Sequence, residues 1–305
     1  MTKWLVFDMS NLLYRTFFAH AQETDMTIAG LASHSALVTL NKYFREQKPH
    51  KVVAAFDRSS WRKEYTISDE CISKKPYKGN RRQSMTPQQK LKYEQFCAHL
   101  NEFEQLLTEN TTVITLAQSK LEADDLIAGF VQVMTLEPDN EIVVVSGDQD
   151  FMQLLRYENV RLLDPASGKD RTLDEYDNDP DYFMFTKCIR GDRGDNVGSA
   201  LPRVQEKRIK KAYDDAFERA NLMNTTWTGP DGREFVVKQL YKENQLLMDL
   251  AMQPDDIQKL IVKTVLSSVK AKKKFSYFHF MRFLGKYELK KVAEQADNFV
   301  QMLSR

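Results

Sequence analysis

The hydrophobic positions of this chain follow two rhythms: short unbroken apolar runs, and longer stripes at helical spacing. The run Ile142-Val-Val-Val145 is β-branched throughout. A run that short reads as a strand buried in a parallel sheet. Trp4-Leu-Val-Phe-Asp8 and Lys51-Val-Val-Ala-Ala-Phe-Asp57 repeat the pattern, and shorter strands are predicted over 113–116 and 159–163. Between them, apolar spacing at Ala36, Leu37, Leu40 and Phe44 predicts a helix over 33–47, preceded by a loop over 24–30 and closed by Pro49. Thr86-Pro87-Gln88-Gln89 is a helix start: Thr86 caps, Pro87 suits the first turn and Gln89 completes a capping box. That helix runs over 86–108 with Leu91, Phe96, Leu100, Phe103 and Leu107 as its core stripe. Alternating strands and helices predict right-handed βαβ units, hence an α/β fold with a mostly parallel central sheet flanked by helices.

Residue 201 marks a change to helices without clear strands. A loop over 227–232 precedes a helix over 234–252, Pro254-Asp-Asp256 opens another that ends near Lys270, and a last helix reaches Arg305. The stretch 275–283 is aromatic-rich and is interrupted by Gly285. The expected organisation is one domain over 1–200 and a helical region over 201–305.

Composition narrows the setting more than the chemistry. Hydrophobic content of 42% and charged content of 29% over 305 residues describe an ordinary globular chain. Cys71, Cys97 and Cys188 lie far apart without metal-type spacing, which suits free thiols in a reducing compartment. No apolar run approaches the roughly 20 residues of a membrane helix, and the first strand leaves no room for a signal peptide. An intracellular, cytoplasmic protein is expected. The formal net charge of +1 says little, because the two signs are segregated along the chain.

The acidic residues carry the chemistry. Asp8 and Asp57 end strands, Ser146-Gly-Asp148-Gln-Asp150 follows a strand, and Glu122-Ala-Asp124-Asp125 and Asp192-Arg-Gly-Asp195 sit in turns. Each has an ordinary explanation: Ser119 with Glu122 fits a capping box, and Asp148 caps a short helix over 150–156. Jointly they map to one sheet edge, where open α/β folds keep their ligand crevice. Two such charges ~4 Å apart repel by ~1 kcal/mol in water and ~4 kcal/mol at an effective dielectric of 20, so the cluster needs cations. Oxygen ligands without a histidine or cysteine cluster select a hard ion, Mg²⁺ or Mn²⁺. Between Asp57 and Thr86, Arg58, Arg62, Lys63, Lys74, Lys75, Lys78, Arg81 and Arg82 are interleaved with Trp61, Tyr65 and Tyr77. Such a segment is a solvated insertion or a clamp for nucleic acid, and its place after an active-edge aspartate favours the clamp. Hard metals beside a basic, aromatic arm imply a phosphodiester substrate. No glycine-rich phosphate loop and no paired serine and histidine support other chemistry.

These motifs, in this order, resemble the 5′-nuclease (flap endonuclease) family, and especially its T-even phage branch. The likeness covers residues 3–200. It implies a PIN/5′-nuclease-like fold with a helical arch insertion over about 58–85, and a structure-specific 5′-to-3′ nuclease of RNase H and flap-endonuclease type. That activity removes RNA primers and adjacent DNA in lagging-strand replication with two Mg²⁺ ions, for which Mn²⁺ substitutes. Carried over by position, Asp8, Asp57, Glu122, Asp124 and Asp148 hold the first ion; Asp150, Asp192 and Asp195 serve the second, with Asp148 shared. Asp125 acts through water or behind the ligands. Lys78 and Arg81 orient the scissile phosphate, Arg62 is a second arch contact and Tyr77 stacks on a base. Lys63, Arg82, Arg203, Lys207 and Lys210 contact nucleic acid. The family's glycine-rich duplex-gripping hairpin is not matched by Val197-Gly-Ser-Ala-Leu-Pro-Arg203, so side-chain cations from Arg203 to Lys211 take its place. Implied partners are DNA and RNA–DNA duplexes with 5′ flaps or ends and a single-stranded-DNA-binding protein at the C-terminal helices, for a monomer working in the host cytoplasm if phage-encoded. A PIN-like endoribonuclease and a catalytically silent replisome scaffold are the alternatives.

Overall fold

A computed structural model describes residues 1–20, 22–80 and 86–305. Within them, the apolar runs become β1 (Thr2–Asp8), β2 (Lys51–Ala55), β3 (Ile114–Leu116), β4 (Asn140–Val145) and β5 (Val160–Leu163). They pair in the order β3-β2-β1-β4-β5, every neighbour parallel. Successive side chains point to opposite faces: Leu5, Phe7, Ala54 and Val143 enter one core, and Trp4, Val6, Val53 and Val144 enter the other. Burial on both faces is why these strands are continuously apolar, each large side chain contributing on the order of 1.5–3 kcal/mol. The sequential order reverses between β1 and β4, and the crevice above that reversal is where such sheets hold ligands.

The first core is closed by α1 (Met9–Ala19), α2 (Asp25–Gln47) and α4 (Pro87–Asn110), the second by α5 (Ala123–Met134), with α3 (Trp61–Ile67) beside it. The capping box opening α4 is present: the Thr86 amide donates to Gln89 Oε1 at 2.8 Å, and the Gln89 amide donates to Thr86 Oγ1 at 3.3 Å. Leu91 departs from the predicted stripe and is 57% exposed. The loop expected over 24–30 is helical, because Thr24 accepts from the Thr27 amide as N-cap and Ile28, Ala29 and Ala32 are buried. The cap of α5 is Glu122 rather than Ser119, its amide donating to Asp125 Oδ2 at 3.2 Å. The segment Gln149–Arg156 is a 3₁₀ helix.

Downstream follow α6 (Pro180–Arg190), α7 (Glu206–Asp214) and α8 (Ala216–Met223). An antiparallel hairpin of β6 (Thr226–Thr228) and β7 (Glu234–Val236) comes next, where no strand was expected. Then come α9 (Val237–Met248), α10 (Asp255–Lys270), α11 (Tyr277–Lys286), α12 (Lys290–Ala293) and α13 (Asp297–Ser304). Gly285 does not interrupt α11. A third core cluster joins α6 to α9 through Tyr182, Phe185, Ile209 and Leu240. The boundary expected at residue 200 falls inside that cluster, while Ile257, Ile261 and Val265 of α10 enter the second core and Phe280, Phe299 and Leu303 enter the first. The last helices are thus layers of the main fold. Among the described residues no helix is long and apolar enough to cross a membrane.

Candidate active edge and metal centre

Parallel strands end on the same side, so the acids that follow them are brought to one edge. Local hydrogen bonds then stitch them together. Asp8 ends β1 and caps α1, its Oδ1 accepting from the Asn11 amide at 3.0 Å, while its Oδ2 lies 3.4 Å from Ser146 Oγ after β4. Ser10 Oγ accepts from the Asp57 amide at 2.8 Å, and Asp57 Oδ1 accepts from the Ala123 amide at 2.8 Å, tying β2 to the start of α5. Ser146 Oγ also accepts from the Asp148 amide at 3.1 Å, and Asp148 Oδ1 accepts from the Asp150 amide at 2.9 Å. Burial, then the charges of Asp57 and Asp148, push the Asp8 carboxyl up to about 8.

Two lysines continue the chain of contacts. Lys78 Nζ lies 2.6 Å from Glu122 Oε1 and 3.7 Å from Asp195 Oδ2, and its amide donates to the Asp195 carbonyl at 2.9 Å. The Asp195 amide donates to Asp192 Oδ1 at 3.1 Å. Lys187, on the last turns of α6, pairs with Asp150 and lies 3.3 Å from Asp192 Oδ2. The path from Asp148 through Asp150, Lys187, Asp192, Asp195 and Lys78 to Glu122 therefore runs unbroken. Burial opposes ionisation of Glu122, yet Lys78 and Arg62 bring it down to about 2. Burial likewise opposes the charge on Lys187, but Asp150 and Asp192 raise its pKa.

Single carboxylate oxygens of Glu122, Asp124 and Asp125 lie within 4.8 Å of one another. Burial, then Asp125 and Glu122, lift Asp124 well above the usual carboxylate range. Asp125 itself faces inward. Arg62 closes on it with a two-pronged fork, reaches Glu122 Oε2 at 3.3 Å and donates Nε to the Leu247 carbonyl at 2.7 Å. With Arg62 1% exposed, the expected arch contact to substrate is corrected: this guanidinium is spent on the acidic cluster. Tyr77 is corrected too. It is 4% exposed, its hydroxyl donates to Asp195 Oδ2 at 2.6 Å, and its ring has no open face for a base. Lys210 is held by Asp177 at 3.0 Å and Asp214 at 2.7 Å. Lys63, Arg203 and Lys207 are exposed. Arg81 and Arg82 lie outside the described residues. Lys187, Ser10, Ser146 and Gln253, whose Nε2 donates to Asp125 Oδ1 at 3.3 Å, were not anticipated; a lysine in the helix leading into the Asp192 turn was the available signal for the first.

A hard divalent ion fits this donor set. The carboxylates converging here offer oxygen donors, and burial with like-charged neighbours disfavours the charged form of Asp8 until positive charge is added beside it.

Residues 3–182 match the model of the 5′-3′ exonuclease N-terminal resolvase-like domain. The chain belongs to that family. Ribonuclease H of Enterobacteria phage T4 is 32% identical over 163 residues, which is 49% of this chain and 50% of that protein. DNA polymerase I of Streptococcus pneumoniae is 27% identical over 219 residues, 67% of this chain and 23% of the polymerase. The chain thus spans about half the length of its phage relative and about a quarter of the polymerase. Among solved structures, a bacteriophage T5 flap endonuclease in a complex with DNA and metal ions aligns with a TM-score of 0.64 at 19% identity, covering 88% of this chain and all of that one. The T5 5′-exonuclease with zinc bound aligns with a TM-score of 0.62 at 20% identity over the same shares. The likeness establishes that the parallel sheet with flanking helices is the fold of those enzymes.

Proposed function

We propose that the protein is a structure-specific 5′-to-3′ nuclease that hydrolyses phosphodiesters of RNA primers and adjacent DNA during lagging-strand replication, using two Mg²⁺ ions. The observation that carries this reading is the unbroken path of carboxylates and lysines at the carboxyl edge of the sheet, in a chain of the 5′-3′ exonuclease family. Asp8, Asp57, Glu122, Asp124 and Asp148 would hold one ion, and Asp150, Asp192 and Asp195 the other, with Mn²⁺ able to substitute. Bound there, such ions supply positive charge and Lewis acidity toward a phosphodiester and a water molecule.

The remaining work falls to the chain. Lys78, poised at 2.6 Å from Glu122, donates to a scissile phosphate and offsets its growing negative charge. Arg62 fixes the Glu122 and Asp125 carboxylates from behind. Exposed Lys63, Arg203 and Lys207 attract the backbone of DNA and RNA–DNA duplexes. The phage T4 relative is named for RNase H activity and a T5 neighbour for flap cleavage, which supports both substrate classes. The test is incubation with labelled 5′-flap and RNA–DNA substrates with and without Mg²⁺. Short products released from the 5′ end in Mg²⁺ alone are expected. Metal-independent or absent cleavage would refute the reading, and internal cuts in single-stranded RNA would favour a PIN-like endoribonuclease.

A further inference from the structure

Residues 257–287 contain eight Lys or Arg and no Asp or Glu, in a chain whose formal net charge is only +1. This stretch forms α10 after its first two residues, Asp255 and Asp256, then the turn after it and α11. Lys259, Lys263, Leu266 and Lys270 recur at spacings that share one helical face, and all four are exposed together with Val262. A shallow groove of about 420 Å³ lies at the start of that face, lined by Asp255, Gln258, Lys259, Val262 and Lys263. Lys272 and Lys274 extend the charge into the turn, where Tyr277 is 46% and Phe278 69% exposed. Surface lysines are commonly no more than a solvated face. Several helix cations elsewhere on this molecule do have acidic neighbours, as in Lys210 with Asp214, Lys211 with Glu218 and Arg190 with Glu206. Along the α10 stripe no carboxylate lies within ion-pair distance among the described residues.

The stripe also has a direction. Just before α10, Gln253 touches Asp125 of the acidic edge, and Ile261 packs on Gly129 one turn further along α5. Beyond the end of α10, Lys273 reaches the Val113 carbonyl and Thr115 Oγ1 at the far end of β3. The 16 residues of α10 span ~24 Å, the rise of about seven stacked nucleotides. We propose that this face is a tract for an unpaired nucleic-acid strand leading away from the active edge: lysines of α10 on its phosphates and, past the turn at the start of α11, Tyr277 and Phe278 under the bases at its far end. The proposal rests on the nuclease reading for the direction of the strand. Cations followed by exposed rings, with no acid beyond Asp255 and Asp256 at the helix start, are the chemistry of sequence-independent single-strand binding.

The test uses the full chain and a fluorescent oligo-dT in EDTA, which separates binding from cleavage. In Lys259→Ala/Lys263→Ala/Lys270→Ala, the slope of log affinity against log salt should flatten by about 2, since each single-strand phosphate contact contributes about 0.7. Tyr277→Ala/Phe278→Ala should weaken binding by about fivefold or more at unchanged slope, because rings release no counterions. Unaltered slope and affinity in both folded variants would overturn the tract. So would a loss, in the lysine variant, of affinity for poly-glutamate but not for the oligonucleotide, which would assign the face to an acidic protein. Mg²⁺-dependent cleavage of a short flap substrate by the same lysine variant checks the nuclease reading separately. Failure of the wild-type protein there sinks that reading while leaving the oligonucleotide result to decide the tract.

Discussion

Arg62 and Asp125 meet as a closed fork inside the protein: Nη1 and Nη2 lie 2.9 and 2.8 Å from the two oxygens of one carboxylate, and both side chains are buried. A buried pair is strongly destabilised by losing one partner, because the other charge is left without compensation. Arg62→Ala should therefore cost about 3–5 kcal/mol in denaturant unfolding. Arg62→Lys should recover only part of it, since a single ammonium cannot make the two-pronged contact and also reach Leu247. An Arg62→Ala protein as stable as wild type would show that the fork is incidental.

Lys78 touches Glu122 but faces the edge where substrate is proposed to bind. If it acts on the developing charge of the transition state, Lys78→Ala lowers kcat by about 10²-fold or more and leaves KM nearly unchanged. Single-turnover cleavage and equilibrium binding of a flap substrate measure the two. Equal losses in both would reduce the residue to a tether.

Lys187 sits between Asp150 and Asp192 as the only ammonium among the described residues that bridges that pair. Lys187→Met leaves two carboxylates facing each other with no cation between them. The variant should melt lower than wild type in EDTA, and Mg²⁺ should restore more stability to it than to wild type. A ligand at 100 times its Kd stabilises the folded state by about 2.7 kcal/mol, an effect visible in thermal scans with and without Mg²⁺. An equal gain in both proteins would show that Lys187 does not balance these acids.

How much of this was legible in the chain follows from the range of each interaction. Strands buried on both faces write themselves as continuous apolar runs, and parallel order carries their terminal acids to one edge, so Asp8, Asp57 and Asp148 could be placed together from pattern alone. Arg62 could not. It lies in a basic, aromatic stretch that reads as surface, and what buries it is Asp125, 63 residues away, which no local period encodes. Tyr77 was misread for the same reason: its partner Asp195 is 118 residues distant. Gly30 closed the expected loop, yet it lies within α2, and it is small there because the Tyr287 carbonyl passes so close that a Cβ would sit 3.1 Å from it. The β6–β7 hairpin has strands of three residues each, shorter than any pattern that alternation can reveal.

Gly129 in α5 has a similar reason to be small, because a Cβ there would run into the Ile261 side chain of α10. Gly129→Ala gains helix propensity of about 1 kcal/mol but overpacks the contact, a cost of about 1–3 kcal/mol or more. Net destabilisation is expected, largely relieved in the double variant with Ile261→Ala, as a double-mutant cycle would record. Additive losses would mean that α10 shifts freely on α5.

His99 makes stability depend on pH in a predictable direction. Its ring is buried in α4 against Tyr287, with centroids 4.5 Å apart, and Nε2 lies 3.0 Å from Ser33 Oγ. Burial lowers its pKa from 6.5 to about 4, with Glu102 opposing the shift and Lys286 adding to it. The folded state thus keeps the ring neutral while the unfolded chain takes up a proton below about 6.5. Stability from this residue is complete above pH 6.5 and is lost as pH falls toward 4, by on the order of 3 kcal/mol. Asp8, raised to about 8, acts in the opposite sense, its contribution falling as pH rises through that value, so the total profile mixes the two. The difference between wild type and His99→Phe isolates the histidine, because Asp8 titrates in both. Urea unfolding of the pair between pH 4 and 7 should show wild type losing stability faster than the variant as pH falls. Parallel profiles would mean that the ring takes its proton without opening the core.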